Sequence, residues 1–125
     1  MPLAKESEDV AACAPQTKDR AMPSSFFFAR LVPNRPNFVM TMTPEELATM
    51  GAHGAFLQSQ LAAGTLVAAG PVMDPAGPFG MAVFEVESLE ALHRLLEKDP
   101  ARAIGRYEVA PMGPTLSRPA LPAGA

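Results

Sequence analysis

Residues 25–32, SFFFARLV, constrain the fold of this chain more than any other segment. The segment is apolar on both alternating sides: Phe26, Phe28 and Val32 point one way, Phe27, Ala29 and Leu31 the other. A strand of that kind needs cover on both faces. Pro33-Asn34-Arg35-Pro36 then breaks it and opens a loop.

Local signals set out the rest. Thr43 can cap a helix, Pro44 suits its first position, and Glu46 completes a capping box. Leu47, Met50, Leu57 and Leu61 form the apolar stripe of that helix, with Gly54 placed for close packing. Gly64 suits the left-handed position that ends it. Thr65 to Gly70 is a short second strand, and Pro71 to Gly80 reads as a hairpin loop. Met81 to Val86 is a third strand. Ser88 caps a second helix with the stripe Leu89, Leu92, Leu96, and Pro100 disfavours its continuation past Asp99. Tyr107 to Met112 is the last strand.

The order is β-α-β-β-α-β, which predicts an α+β, ferredoxin-like fold with a four-stranded antiparallel sheet. Two helices cover one face of such a sheet. The doubly apolar first strand therefore predicts that a second copy covers the other face, giving a face-to-face homodimer.

A length of 125 residues suits one domain, expected over 24–114. Residues 1–23 mix charge, Ala and Pro without a core period and read as an N-terminal tail; 115–125 read as a C-terminal tail. The net charge is −3 and the basic residues form no block, which argues against nucleic-acid partners. No apolar stretch is long enough for a membrane span, and residues 1–15 lack the pattern of a signal peptide, so a cytoplasmic protein is expected. Cys13 is the single cysteine, which leaves no disulfide framework. No nucleophile motif, phosphate loop or three-ligand metal set is present, and no cofactor is expected.

The expected topology gathers distant polar residues at one end of the domain. His53 lies on the first helix, Asp74 in the hairpin loop and Asp99 at the end of the second helix. At about 100° per residue, Asp99 falls on the side of Leu92 and Leu96, at a helix end whose dipole disfavours an anion. A carboxylate so placed wants a partner, and His53 edges the facing stripe. In a His53–Asp99 pair the carboxylate holds one imidazole nitrogen and leaves the other to accept a proton. Plainer readings stand beside this one. Asp74 before Pro75 is a common turn residue, and Asp99-Pro100 also reads as a simple helix stop. His93, beside Arg94 and Lys98, reads as solvent-facing. Arg30 and Arg35 either bind a carboxylate substrate or pair with surface acids. Tyr107 reads as a core-edge residue, and the methionines as packing.

At His53, the turn after Gly64, Gly70-Pro71 followed by Asp74, and Asp99-Pro100, the sequence resembles the YciI-like (YCII-related) family. The resemblance covers about residues 26–113. RLVPNRPNF, MTPEE and GRYEVAPM resemble one branch of it. Gly77-Pro78-Phe79 is similar to the DGPF-type branch, but Asp74 is displaced from that pattern and the acidic and lysine residues that follow it are missing. The resemblance implies a ferredoxin-like dimer of the dimeric α+β barrel type. It also implies a site of His53 with Asp99, and Asp74 beside them. Most of the family has no assigned reaction. A dehydrochlorinase of a chlorinated hydroxyquinol is among its enzymatic members, and relatives in the wider superfamily isomerise muconolactones.

Two functions are therefore expected in competition. The first is a cofactor-independent lyase or isomerase of a small cyclic or aromatic-derived substrate. His53 shuttles a proton, Asp99 orients it, Asp74, Arg35 or Arg30 holds polar substrate groups, and Phe26, Phe28 and Phe79 line the apolar part of the pocket. The second is a non-catalytic small-ligand-binding or accessory dimer using the same pocket. A solvent-open His53 without a carboxylate in reach favours the second. A redox or metal protein is a weaker third, since Cys13 stands alone and the two histidines lie on different helices.

Overall fold

The computed structural model describes residues 25–118. The expected N-terminal tail and most of the C-terminal one lie outside the described residues. The order of elements is β1 (Ser25–Pro33), α1 (Pro44–Ala63), β2 (Leu66–Val72), β3 (Phe79–Val86), α2 (Leu89–Leu96) and β4 (Gly105–Pro111). Short 3-10 helices at Phe38–Met40 and Pro100–Ala103 fall in the β1–α1 and α2–β4 connections. The sheet order is β2-β3-β1-β4, with every pair antiparallel, so the ferredoxin-like α+β fold is present.

β1 is central, and its two faces differ. Phe27, Ala29 and Leu31 are buried, whereas Phe26, Phe28, Arg30 and Val32 are only half-buried. Phe27 and Ala29 join Leu66, Ala82, Phe84, Leu92 and Leu96 in the main core, so α2 packs on the face those β1 residues share. Leu31 joins Phe38, Ala101 and Ile104 in a second cluster, which seats the two 3-10 helices at one end of the sheet.

The helix signals hold in detail. Glu46 N–H donates to Thr43 Oγ1 at 3.1 Å, and Thr43 N–H donates to Glu46 Oε1 at 2.9 Å. Gly64 closes α1 at φ 84°, its N–H donating to Gln60 and Leu61 carbonyls. Ala91 N–H donates to Ser88 Oγ at 3.0 Å at the start of α2.

Four expectations change. First, the α1 stripe is displaced: Leu47 is 61% and Leu61 44% exposed. Leu47 lies in the first turn and Leu61 in the last, and the row that faces the domain is Met50, His53, Gly54 and Leu57. Gly54 serves no close approach, since a Cβ there would meet nothing within 4 Å. Second, the β2–β3 ladder runs on to Val72 and Phe79, so the hairpin loop is shorter than 71–80. Pro71 is tolerated because β2 is an edge strand. Third, β4 starts at Gly105, which pairs with Pro33. A Cβ on Gly105 would lie 2.5 Å from the Val32 carbonyl oxygen, so only glycine lets the strands close there. Fourth, Asp99 is not on α2. That helix stops at Leu96, and Asp99 adopts an extended backbone as the N-cap of the 3-10 helix Pro100–Ala103. The steric demand of Pro100 on its predecessor accounts for this.

Among the described residues, no helix is long and apolar enough to cross a membrane.

Candidate functional site

The site is organised around the Asp99 carboxylate, which is 2% exposed. The extended backbone before Pro100 turns the side chain back onto its own 3-10 helix, where Oδ1 accepts from Ala101 N–H at 2.9 Å. The Tyr107 hydroxyl, from β4, donates to Oδ2. His53 Nδ1, from α1, lies 2.9 Å from both oxygens. Burial opposes the charge on Asp99. The hydrogen bonds from His53, Tyr107 and Ala101 outweigh it, and the carboxyl titrates below its usual range. An ionised Asp99 requires the proton on His53 Nδ1, so in the neutral imidazole the lone pair is on Nε2.

Tyr107 reaches Asp99 because β4 pairs with β1 in a register that sets Tyr107 opposite Leu31, on the buried face. Burial first, and the neighbouring carboxylate second, push its hydroxyl well above the ordinary tyrosine range. It stays a donor to Asp99 across the range where proteins are stable.

His53 sits in the middle of the α1 row that faces the domain, and its side chain is 12% exposed. It lines a cavity of about 460 Å³ between α1, the β1–α1 connection, the sheet and the β2–β3 hairpin. Leu31, Phe38, Met50, Leu57, Phe79 and Tyr107 supply much of the wall.

The structure thus brings His53, Asp99 and Phe79 to one place. Phe28, Arg30, Arg35 and Asp74 are not among the residues lining the cavity. Strand alternation puts Phe28 and Arg30 on the half-buried sheet face, where the Arg30 guanidinium lies 3.8 Å from the centroid of the Phe79 ring. Phe26 shares that face. Asp74 accepts from Ala76 N–H at 2.9 Å and so shapes the hairpin turn. Arg35 is a clasp. It donates to both Glu46 oxygens at 2.8 Å and to the Thr41 carbonyl at 2.7 Å, tying the β1–α1 connection to the first turn of α1. The hydrogen bonds that Arg35 donates, followed by that from Thr43 N–H, lower the pKa of Glu46 to about 2. Tyr107, a core-edge residue by its sequence position, packs against both core clusters and also belongs to the site. Its signal was its offset from the end of β4, which becomes decisive only once the β1–β4 register is known.

Comparisons with known proteins agree with this architecture. The sequence pattern of the YCII-related domain matches residues 26–114. No curated protein matches the chain. Among solved structures, the 5-chloro-2-hydroxyhydroquinone dehydrochlorinase of Burkholderia phenoliruptrix, in complex with 2,5-dihydroxybenzoquinone, is similar at a TM-score of 0.50 and 20% identity, over 67% of this chain and 90% of that one. A mutant of SnoaB, a cofactor-independent oxygenase from Streptomyces nogalater, is similar at a TM-score of 0.42 and 16% identity, over 78% of this chain and 98% of that one. The likeness to the dehydrochlorinase is one of fold. The match to the sequence pattern takes in all of the four strands but Ser25, both helices, and His53, Asp99 and Tyr107 together. The chain belongs to the YCII-related domain family.

Proposed function

We propose that this protein is a cofactor-independent lyase or isomerase of a small cyclic or aromatic-derived molecule, with His53 as its general base and acid. One observation carries the reading: His53 is anchored through Nδ1 to a buried, ionised carboxylate while it lines an apolar cavity. Nε2 takes a proton from a carbon made acidic by a neighbouring carbonyl. The electron pair left behind then expels a leaving group, or shifts a double bond while the imidazolium returns the proton elsewhere. Asp99 supports the imidazolium during that interval, and Tyr107 holds Asp99 in place.

The solved dehydrochlorinase acts on a chlorinated hydroxyhydroquinone. Reactions of that type need no more than a positioned base, which fits the groups present here. A solvent-open His53 with no carboxylate in reach would favour the binding-only alternative. The 12% exposure and the 2.9 Å contact favour catalysis. A face-to-face homodimer, through the half-buried sheet face carrying Phe26 and Phe28, belongs to the same proposal.

The test is a turnover screen against lactones and halogenated phenols, with wild type and His53→Ala in parallel. Turnover by wild type that is lost in the variant supports the reading. Equal turnover by both proteins would sink it.

A further inference from the structure

We infer that the cavity is built for an uncharged ring compound whose one polar contact is with His53, and that it discriminates against carboxylates and other anions. The inference rests on the reading of the His53 cavity as a ligand site, but not on turnover.

The walls carry the argument. Of the side chains lining the cavity, only those of His53 and Tyr107 are polar. The Tyr107 hydroxyl donates its proton to Asp99. His53 Nδ1 is likewise taken, so Nε2 is what remains to meet a ligand. Three methionines, Met42, Met50 and Met73, also line the space. Their flexible, polarisable thioethers suit the face or edge of a ring. A volume of about 460 Å³ lies within the range of pockets that enclose small ring systems.

Charge is handled just as one-sidedly. Arg30 and Arg35 lie behind the Phe79 and Phe38 rings of the wall, and neither lines the cavity. Arg35 is held by Glu46 and Thr41, and Arg30 lies over Phe79 without lining the cavity. The charge that stands directly behind His53 is negative, on Asp99. An anionic ligand would lose its water among apolar walls, find no Arg or Lys lining the cavity, and approach a buried carboxylate. A neutral ligand with one hydroxyl or carbonyl meets none of these costs.

Binding of naphthol and naphthoate to the full chain at neutral pH tests the inference, because the two probes share a ring system and differ in charge. Calorimetry should show naphthol binding tighter by about tenfold or more, the scale of one unpaired polar group. Met73 lines the mouth and is 71% exposed, so Met73→Arg adds a cation without disturbing the core. That variant should raise naphthoate affinity several-fold and shift the ratio of the two affinities toward naphthoate. Naphthoate binding to wild type as tightly as naphthol overturns the inference, as does a failure of naphthol to bind, or a Met73→Arg protein with unaltered naphthoate affinity. A naphthol preference in a protein that turns nothing over would instead sink the general-base reading alone.

Discussion

His53 Nδ1 lies 2.9 Å from Oδ1 and 2.9 Å from Oδ2 of Asp99, so the imidazole N–H faces the fork of the carboxylate, not one arm of it. The two residues are 46 positions apart, and each comes from an element that would not hold its side chain still alone. α1 is a helix with no fully buried residue. Asp99 sits in a connection. Their contact pins α1 to the 3-10 helix after α2, and it fixes which imidazole nitrogen faces the cavity.

That relationship gives the first prediction. His53→Ala should lower turnover by roughly a hundredfold or more with the fold retained, the scale for loss of a general base. Asp99→Asn should also lower it. Three donors converge on the carboxylate, from His53, Tyr107 and Ala101. A carboxamide offers one oxygen and adds two N–H groups, so a donor is left facing a donor, at a cost of about 1–3 kcal/mol. Kinetics and melting curves together decide the matter. If both variants lose stability but keep wild-type kcat/KM, the pair is structural.

Tyr107 offers a direct spectroscopic check, because it is the single tyrosine in the chain. Burial and the Asp99 charge raise its pKa. Ultraviolet absorbance during an alkaline titration should show no tyrosinate near pH 10, the ordinary midpoint of about 10 for a free side chain, until the protein unfolds. In Asp99→Asn the onset should move back toward that value. A wild-type midpoint in the ordinary range would remove Tyr107 from the site.

How much of this could be read from the sequence depends on the range of each interaction. The Thr43–Glu46 capping box, the Ser88 cap and the left-handed Gly64 are fixed by residues within a few positions, and each is found where its pattern placed it. The two apolar faces of β1 and the element order were enough for the ferredoxin-like topology. The pairing of His53 with Asp99 follows from that topology, although Asp99 is not at the unfavourable end of α2. It instead caps a new 3-10 helix, where an anion is welcome. Tyr107 was out of reach because its neighbour depends on the β1–β4 register. Arg35 was open to two readings because Glu46 already had a complete role in the capping box. That one carboxylate serves both partners is visible only in three dimensions. The α1 stripe misled because the helix closes over a cavity, so its inward row is not its most apolar one.

Glu46 should make stability depend on acid pH. Its pKa is lowered from 4.5 to about 2 in the folded protein, by Arg35 first and then by Thr43 N–H. A group depressed on folding contributes stability above its unfolded pKa and loses it as pH falls through the folded one. The contribution is therefore complete above pH 4.5 and fades towards pH 2. Asp99 is shifted in the same direction and affects both proteins alike. Melting temperatures of Glu46→Gln and wild type should lie furthest apart near neutral pH and converge as acid is added. Curves that stay parallel down to pH 2 would contradict this.

Two glycines should respond in opposite senses. Gly51 is on the exposed side of α1, and a Cβ there meets nothing within 4 Å. Gly51→Ala should stabilise by about 0.5–1 kcal/mol through helix propensity alone. At Gly105 a Cβ would stand 2.5 Å from the Val32 carbonyl oxygen and 3.1 Å from its carbon. Neither backbone can yield without opening the β1–β4 ladder, so Gly105→Ala should cost about 3 kcal/mol or more. Denaturant midpoints for the pair give the answer, and a tolerated Gly105→Ala would mean that the register at Pro33 is looser than described.

The last prediction concerns the sheet face away from the helices. Phe27, Ala29 and Leu31 are 5%, 0% and 6% exposed, while Phe26 and Phe28 on the other side of the same strand remain half-buried. Phe28 lies opposite Val83 on β3, so the apolar surface continues across the two central strands. Apolar area paired across strands in this way suits cover by an identical surface. Sedimentation at micromolar concentration should therefore give two chains per particle. Phe28→Glu places a charge in the middle of the shared face without entering either core cluster. It should yield monomers with an unchanged circular dichroism spectrum, since a desolvated, unpaired carboxylate opposes association more strongly than it disturbs an open sheet surface. A wild-type protein that sediments as one chain would leave this face to solvent and end the dimer proposal. A Phe28→Glu protein that still sediments as two chains would move the interface elsewhere on the domain.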